Sequence, residues 1–208
     1  LSDHLIVEVA RDKAVWRQSY LRGNPTGKLK NIGKVSNRRG TSVTFHPDPK
    51  IFDFKAQFRP SALFRMAHSK AYLFRGVYIR WNCDTELISE NDSTPEKATL
   101  HFPGGLMDYL ATMLEDRVTI TPNAFFGQAK LNGGSGSIEW AVAWPKDEDY
   151  LFNSYCNTVP TPLGGTHEAG LRSALTRGLR AYGELINNKP ASKIMADDVV
   201  GSACVMLS

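Results

Sequence analysis

Asn157-Thr-Val-Pro-Thr-Pro-Leu-Gly-Gly-Thr-His-Glu168 leads an extended, proline-bearing segment through a glycine pair and into an amphipathic helix that continues past Arg177. Gly164 and Gly165 permit the dihedrals of a sharp entry, Thr166 stands where an N-cap is expected, and Glu168 brings negative charge to the open amides of the first turn. Leu171, Ala174, Leu175, Leu179, Tyr182 and Ile186 recur at helical spacing, so one face of this helix is expected to be buried. Arg172, Arg177 and Arg180 fall off that stripe.

Working outward, a last helix is expected from about Asp197. Upstream, Ile138, Trp140, Val142 and Trp144 alternate with Glu139, Ala141 and Ala143, the pattern of a half-buried strand, and Tyr150 to Tyr155 reads as another strand. Gly104-Gly105 opens a helix over Leu106 to Glu115, preceded by a short strand from Ala98 to Phe102 and a polar, acidic loop from Ser89 to Lys97. Val77, Ile79, Trp81 and Cys83 are expected on one face of a strand. Pro60 and Ser61 start a helix whose apolar stripe is Leu63, Met66, Ala67, Leu73 and Phe74, with Gly76 as its stop. At the start of the chain, Leu5, Val7 and Val9 alternate, Arg11-Asp12-Lys13 turns, and Val15 to Tyr20 returns as a hairpin. A Gly/Asn/Lys-rich loop from Gly23 to Gly40 precedes a third strand through Thr41, Val43 and Phe45, ended by Pro47-Asp48-Pro49. This order predicts an α+β fold with helices on one side of a sheet.

Composition sets wide limits. With 208 residues and 42% hydrophobic content the chain can bury one large core or two small ones. A net charge of +4 permits contact with nucleic acid and is equally the ordinary state of a solvated surface. Cys83, Cys156 and Cys204 are odd in number and widely spaced, which fits a reducing cytosol and gives no zinc-ligand pattern. There is no leader-like segment and no apolar run near 18 residues. The first residues enter a strand pattern without an initiator Met and the last lie inside an apolar run, so both ends are expected to continue into a longer protein.

Several motifs invite chemistry and fail on spacing. Gly23-Asn-Pro-Thr-Gly-Lys28 lacks the spacing and the Ser/Thr of a phosphate loop, and Pro25 removes an amide donor. Asn132-Gly-Gly-Ser-Gly136 precedes a strand rather than joining a strand to a helix, so it reads as a hairpin loop. His167-Glu168 would need a second histidine where Leu171 stands, which leaves a helix-start histidine bonded to local backbone. Asp197-Asp198 reads as dipole compensation at a helix start. Arg172 and Arg180 stand at i,i+4 spacing from Glu168 and Glu184, so ordinary helix ion pairs account for them; the functional alternative is a phosphate-facing patch.

These blocks, in order and over essentially all 208 residues, resemble the B subunit of bacterial type II DNA topoisomerases. Gly164-Gly-Thr-His167 resembles a segment of that family's transducer domain, and Asn157-Thr-Val-Pro-Thr161 resembles the topoisomerase IV version more than the gyrase one. Arg39-Gly-Thr-Ser-Val-Thr-Phe-His-Pro-Asp-Pro49, Ser69 to Val77 and His101-Phe-Pro-Gly-Gly-Leu106 match in kind. The resemblance implies the closing strands of a GHKL (Bergerat) ATPase domain over residues 1–51. Residues 52–208 would then be a transducer of the ribosomal protein S5 domain 2 type, ending before its Gln-Thr-Lys loop.

By position, Thr41 matches a threonine at the adenine-side water network, Val43 a valine on that pocket's floor, and Arg11 an arginine at its mouth that contacts aminocoumarin inhibitors. Arg172 matches an arginine facing the cavity for transported DNA, with Arg177 and Arg180 as further candidates on the same helix. Met195 stands where the family has a capping Thr or Ser, so that helix start is expected to lean on Asp197. The family's metal-binding Asn, adenine-binding Asp, catalytic Glu and glycine-rich lid fall upstream of Leu1, and its γ-phosphate lysine beyond Ser208. The resemblance therefore implies an enzyme using ATP and Mg2+ as the parent, with no catalytic or metal residue and no nucleotide binding in these 208 residues alone. It also implies a heterotetramer with the A subunit of topoisomerase IV, self-dimerisation through the ATPase domain, double-stranded DNA as partner, no membrane, and a cytoplasmic, nucleoid-associated setting. The B subunit of DNA gyrase and a stand-alone nucleic-acid-binding module with an S5-like sheet are the alternatives.

Overall fold

The computed structural model describes all residues except 54–56, 131, 132, 135, 148 and 149. The chain divides into two compact units, Leu1–Phe58 and Arg59–Ser208. Phe58 sets its ring edge-on against Phe45 at 5.8 Å, so the stretch after Pro49 returns to the first unit.

The first unit is an antiparallel sheet. Strands β1 (Ser2–Arg11) and β2 (Ala14–Leu21) form the expected hairpin, and Asp12 and Lys13 both take positive φ, 52° and 60°. That is the two-residue turn whose twist matches its flanking strands. β5 (Gly40–Pro47) pairs with the other side of β1. The expected loop from Gly23 to Gly40 is instead partly sheet: β3 (Asn24–Pro25) and β4 (Lys30–Lys34) both pair with β2. Its polar, glycine-bearing sequence hid the pairing because an exposed edge strand has no apolar face to display. Asp48 is buried and closes the unit by accepting from Arg22 Nε at 2.6 Å and from the Lys50 amide at 2.9 Å; the guanidinium holds its carboxyl below the usual range.

The second unit is built on a five-stranded sheet ordered β11-β10-β12-β9-β8. Its members are β8 (Phe125–Lys130), β9 (Ser137–Ala143), β10 (Leu151–Cys156), β11 (Val159–Pro160) and β12 (Cys204–Leu207). β12 lies in the middle, parallel to β10 and antiparallel to β9, with all four residues buried. A strand covered on both faces reads as a continuous apolar run, and Cys-Val-Met-Leu has no alternation to announce it. β9 is likewise buried on both faces near its end: Ala141, Val142 and Ala143 are all at 2% exposure or less.

Helices therefore cover both faces, correcting the one-sided arrangement. Against one face, Tyr72 of α1 (Pro60–Leu73) and Leu106 and Leu110 of α2 (Leu106–Met113) pack on Ala141, Ala143, Tyr155, Cys204 and Met206. Against the other, Leu171 of α3 (Thr166–Leu185) packs on Val142, Val205 and Leu207. α1 starts at Pro60 as expected, yet its stripe is rotated: Ala71 and Tyr72 are buried while Met66 and Phe74 are exposed. A short ribbon of β6 (Ile79–Asn82) and β7 (Lys97–Leu100) joins α1 through Trp81 on Phe64. Val77 and Cys83 lie outside it. The helical turn α4 (Ala196–Val200) follows, and the Met195 amide donates to Asp198 Oδ2 at 2.8 Å, so Asp198 rather than Asp197 supports that start. β8 and β9 pair as a hairpin, while residues 132 and 135 of the loop Asn132 to Gly136 lie outside the described set.

Candidate functional site

In the first unit the β1/β5 register places Thr41 opposite Val9 and Val43 opposite Val7. Cross-strand partners share a face, so Thr41, Val43 and Phe45 lie with Leu5, Val7 and Val9, and Arg11 continues that face at the end of β1. Val43 and Phe45 are more than half exposed. The three pocket-edge candidates thus come together on one open wall carrying an apolar floor, one hydroxyl and one guanidinium. Arg11 is exposed, with Asp12 beside it at 3.5 Å as its one ion-pair partner among the described residues.

In the second unit the loop after β10 is tied to α3 by a polar chain. His167 Nε2 lies 3.3 Å from Thr161 Oγ1, Thr161 Oγ1 2.5 Å from Ser154 Oγ, and Ser154 Oγ donates to Glu168 Oε1. With the Nε2–H tautomer each group donates to the next and the run ends on the carboxylate. This differs from the expected backbone bond of His167. Thr166 is the first helical residue rather than the cap, because Gly165 occupies that position in an extended conformation. A Cβ on Gly165 would stand 2.7 Å from the His167 ring, and Gly164 holds φ at +75°, so the pair serves two separate purposes.

The three arginines of α3 have different surroundings. Arg172 lies over the Phe152 ring at 4.9 Å and 3.7 Å from Asp197 Oδ1, not on Glu168. Arg180 donates through Nε at 2.8 Å and through NH2 to the Ile194 carbonyl, not to Glu184. Arg177 is exposed, with no ion pair or hydrogen bond among the described residues. Two are therefore braced against the segment entering α4, and the third extends into solvent. The helix stripe is only half covered: Leu171 is buried, whereas Leu179, Tyr182 and Ile186 are 40% to 60% exposed. Beside it an apolar groove of about 510 Å³ runs between α3 and the sheet, lined by Phe125, Trp140, Gly170, Ala174 and Leu175 among others.

On the opposite face His68 of α1 sits among Phe64, Tyr72, Phe102 and Tyr109, with centroid distances from 5.1 to 6.1 Å. Burial alone lowers its pKa below the usual 6.5. Facing it are the hydroxyls of Tyr72 and Tyr109, both pushed up by burial, and Tyr155 behind Tyr72; Arg65 and Lys70 are the cations of its own helix. Below pH 6.5 the unfolded chain binds a proton that the folded chain refuses, so stability is full above that pH and falls as pH drops toward the folded pKa. Urea midpoints from pH 8 to pH 5 should show this acid limb, and His68→Phe should flatten it; an unchanged slope would remove His68 as its source.

Among the described residues no group of three or more His, Cys, Asp or Glu could hold a metal ion, and no helix is long and apolar enough to cross a membrane.

Residues 105–208 match the sequence profile of the DNA gyrase B family. The B subunit of DNA topoisomerase 4 from Bartonella bacilliformis is 50% identical over 208 residues, covering 100% of this chain and 30% of its own length. Among solved structures, the B subunit of DNA gyrase from Myxococcus xanthus superposes with a TM-score of 0.80 at 25% identity, over 100% of this chain and 56% of that one. The 43K ATPase domain of Thermus thermophilus gyrase B, solved with an aminocoumarin, gives 0.77 at 25% identity, over 100% and 55%. The chain thus spans about 30% of the length of the curated relatives it matches.

Proposed function

Because this chain belongs to the DNA gyrase B family, we propose that it is the part of a topoisomerase IV-type B subunit that connects the nucleotide pocket to the machinery of DNA passage. The observation that carries the choice of enzyme is the identity over the whole chain to topoisomerase 4 B subunits, 50%, 48% and 42% for three of them. The parent is an ATP-dependent type II topoisomerase that relaxes and decatenates DNA. It works with an A subunit as a heterotetramer, dimerises through its ATPase domain, and acts in the cytoplasm at the nucleoid. The unit Leu1–Phe58 closes the GHKL domain, seven residues beyond the boundary at 51 that the resemblance implied, and the unit Arg59–Ser208 forms the S5-like transducer.

Thr41 and Val43 suit the side of a nucleotide base: the strand register gives an apolar floor with one hydroxyl at its edge. Arg11 stands at the end of that wall, where the aminocoumarin named for the Thermus thermophilus relative suggests an inhibitor contact. Bound ATP supplies the free energy of phosphoryl transfer, and Mg2+ the charge neutralisation at its phosphates. Among the described residues no group of three or more His, Cys, Asp or Glu could hold that metal; in this reading the metal and phosphates are held by other parts of the parent, and the 208 residues alone are expected not to bind nucleotide. On α3, Arg177 is the most available cation for transported DNA; Arg172 reaches it from its seat on Phe152, and Arg180 acts by holding the Ile194 segment.

In the full-length subunit, Thr41→Val keeps the shape of the wall but leaves a polar partner of the hydroxyl unpaired. It should weaken binding of a non-hydrolysable ATP analogue by about 1–3 kcal/mol. Calorimetry reads this directly, and an unchanged dissociation constant takes Thr41 out of the site.

A further inference from the structure

Residues 13–47 contain eight Lys and Arg and not one Asp or Glu. The carboxylates that flank this stretch are already engaged. Glu8 accepts from Arg17 Nε at 2.9 Å and from Arg38 at 3.4 Å, and Asp48 accepts from Arg22. Lys13, Lys28, Lys30, Lys34 and Arg39 have no carboxylate partner among the described residues.

The fold gathers Lys13, Lys28, Lys30 and Lys34 along the β4 edge, whereas Arg39 leads into β5 at the other edge of the sheet. β4 pairs only with β2, and all five of its residues are exposed. Lys30 stands directly opposite Arg17, on the face that carries Glu8, whose carboxylate is already taken by Arg17 and Arg38. Lys34 stands opposite Ala14, in a row with Arg11 on the other face. Like charges directly opposite one another destabilise a sheet. Lysine on an edge strand ordinarily serves to block pairing with another chain. That role explains neither the cross-strand Arg17 and Lys30 pair nor the cations before and after β4. An external polyanion relieves the repulsion and explains both.

We propose that this rim, built from Lys28, Lys30 and Lys34, is a contact surface for the phosphate backbone of duplex DNA, separate from the arginines of α3. Five residues of strand span roughly 13 Å, on the order of four phosphates of one DNA strand. Lysines on a strand neutralise that charge without reading base sequence. Only the choice of DNA as the polyanion rests on the proposed function of the parent.

Anisotropy of a labelled 20-base-pair duplex, titrated with the 208-residue chain at several salt concentrations, tests it. Changing Lys28, Lys30 and Lys34 together to Gln should lower affinity at least tenfold. It should also reduce the slope of log affinity against log salt by about two to three, at roughly 0.9 per phosphate contact. The corresponding Lys→Arg variants at 28, 30 and 34 should bind like the original. Unchanged affinity and slope in a Gln variant that melts normally overturn the proposal. So does binding to vesicles of anionic lipid without binding to duplex, the outcome the exposed Leu29 and Ile32 would favour if a membrane were the partner. Decatenation by the whole enzyme is scored separately, so loss of this contact and loss of the topoisomerase reading give different results.

Discussion

Leu110→Ala should destabilise the second unit by about 3–5 kcal/mol, the range for emptying a fully buried leucine site that cannot collapse. Leu110 has 0% exposure and sits where α2 meets Tyr72, Ala141, Ala143 and Met206. Its neighbours belong to two helices and to the central strands, so no single element can move to fill the space. Urea unfolding followed by tryptophan fluorescence should show the midpoint of the second transition fall while the first unit's stays in place, since the two units have separate cores. A loss below about 1.5 kcal/mol would mean that α2 does not close this face of the sheet.

Glu168→Ala should cost about 1.5–3 kcal/mol, because it removes the charged acceptor at the end of the chain from His167 through Thr161 to the buried Ser154 hydroxyl. Glu168→Gln keeps an oxygen there and should cost less than half as much. Hydrogen exchange should report the loss locally, at the amides of the first turns of α3. If instead the alanine variant behaves like removal of an ordinary surface carboxylate, within about 0.5 kcal/mol, the chain does not position the helix. Because α3 carries Arg172, Arg177 and Arg180, a loosened entry also bears on where those cations point.

The sequence made the β1/β2 hairpin, β9 and α3 legible for one reason: each shows an apolar and a polar side at the period of its element. Thr41, Val43 and Arg11 were named through the family resemblance, and the strand register sets them on one face. Periodicity failed where that contrast is missing. β12 is apolar throughout because both its faces are covered, and β4 is exposed throughout, with Ile32 its single bulky apolar residue. Without β12 in the middle of the sheet, nothing signals that helices lie on both sides.

The seats of Arg172 and Arg180 were hidden for a different reason. Their partners, Asp197 and Ile194, lie far along the chain, whereas i,i+4 reasoning looks only within the helix and so proposed Glu168 and Glu184. Ser154 was missed as well, being a serine inside a strand that becomes meaningful only when the turn after β10 returns Thr161 and Glu168 to it.

The central claim is that this chain serves a topoisomerase IV-type enzyme, and the reaction catalysed by the full-length B subunit reconstituted with its A subunit tests it most directly. Interlinked DNA circles and relaxed plasmid are offered in parallel, with and without ATP. The account predicts ATP-dependent decatenation and no introduction of negative supercoils. ATP-dependent negative supercoiling of the relaxed plasmid would contradict it and assign the chain to a gyrase.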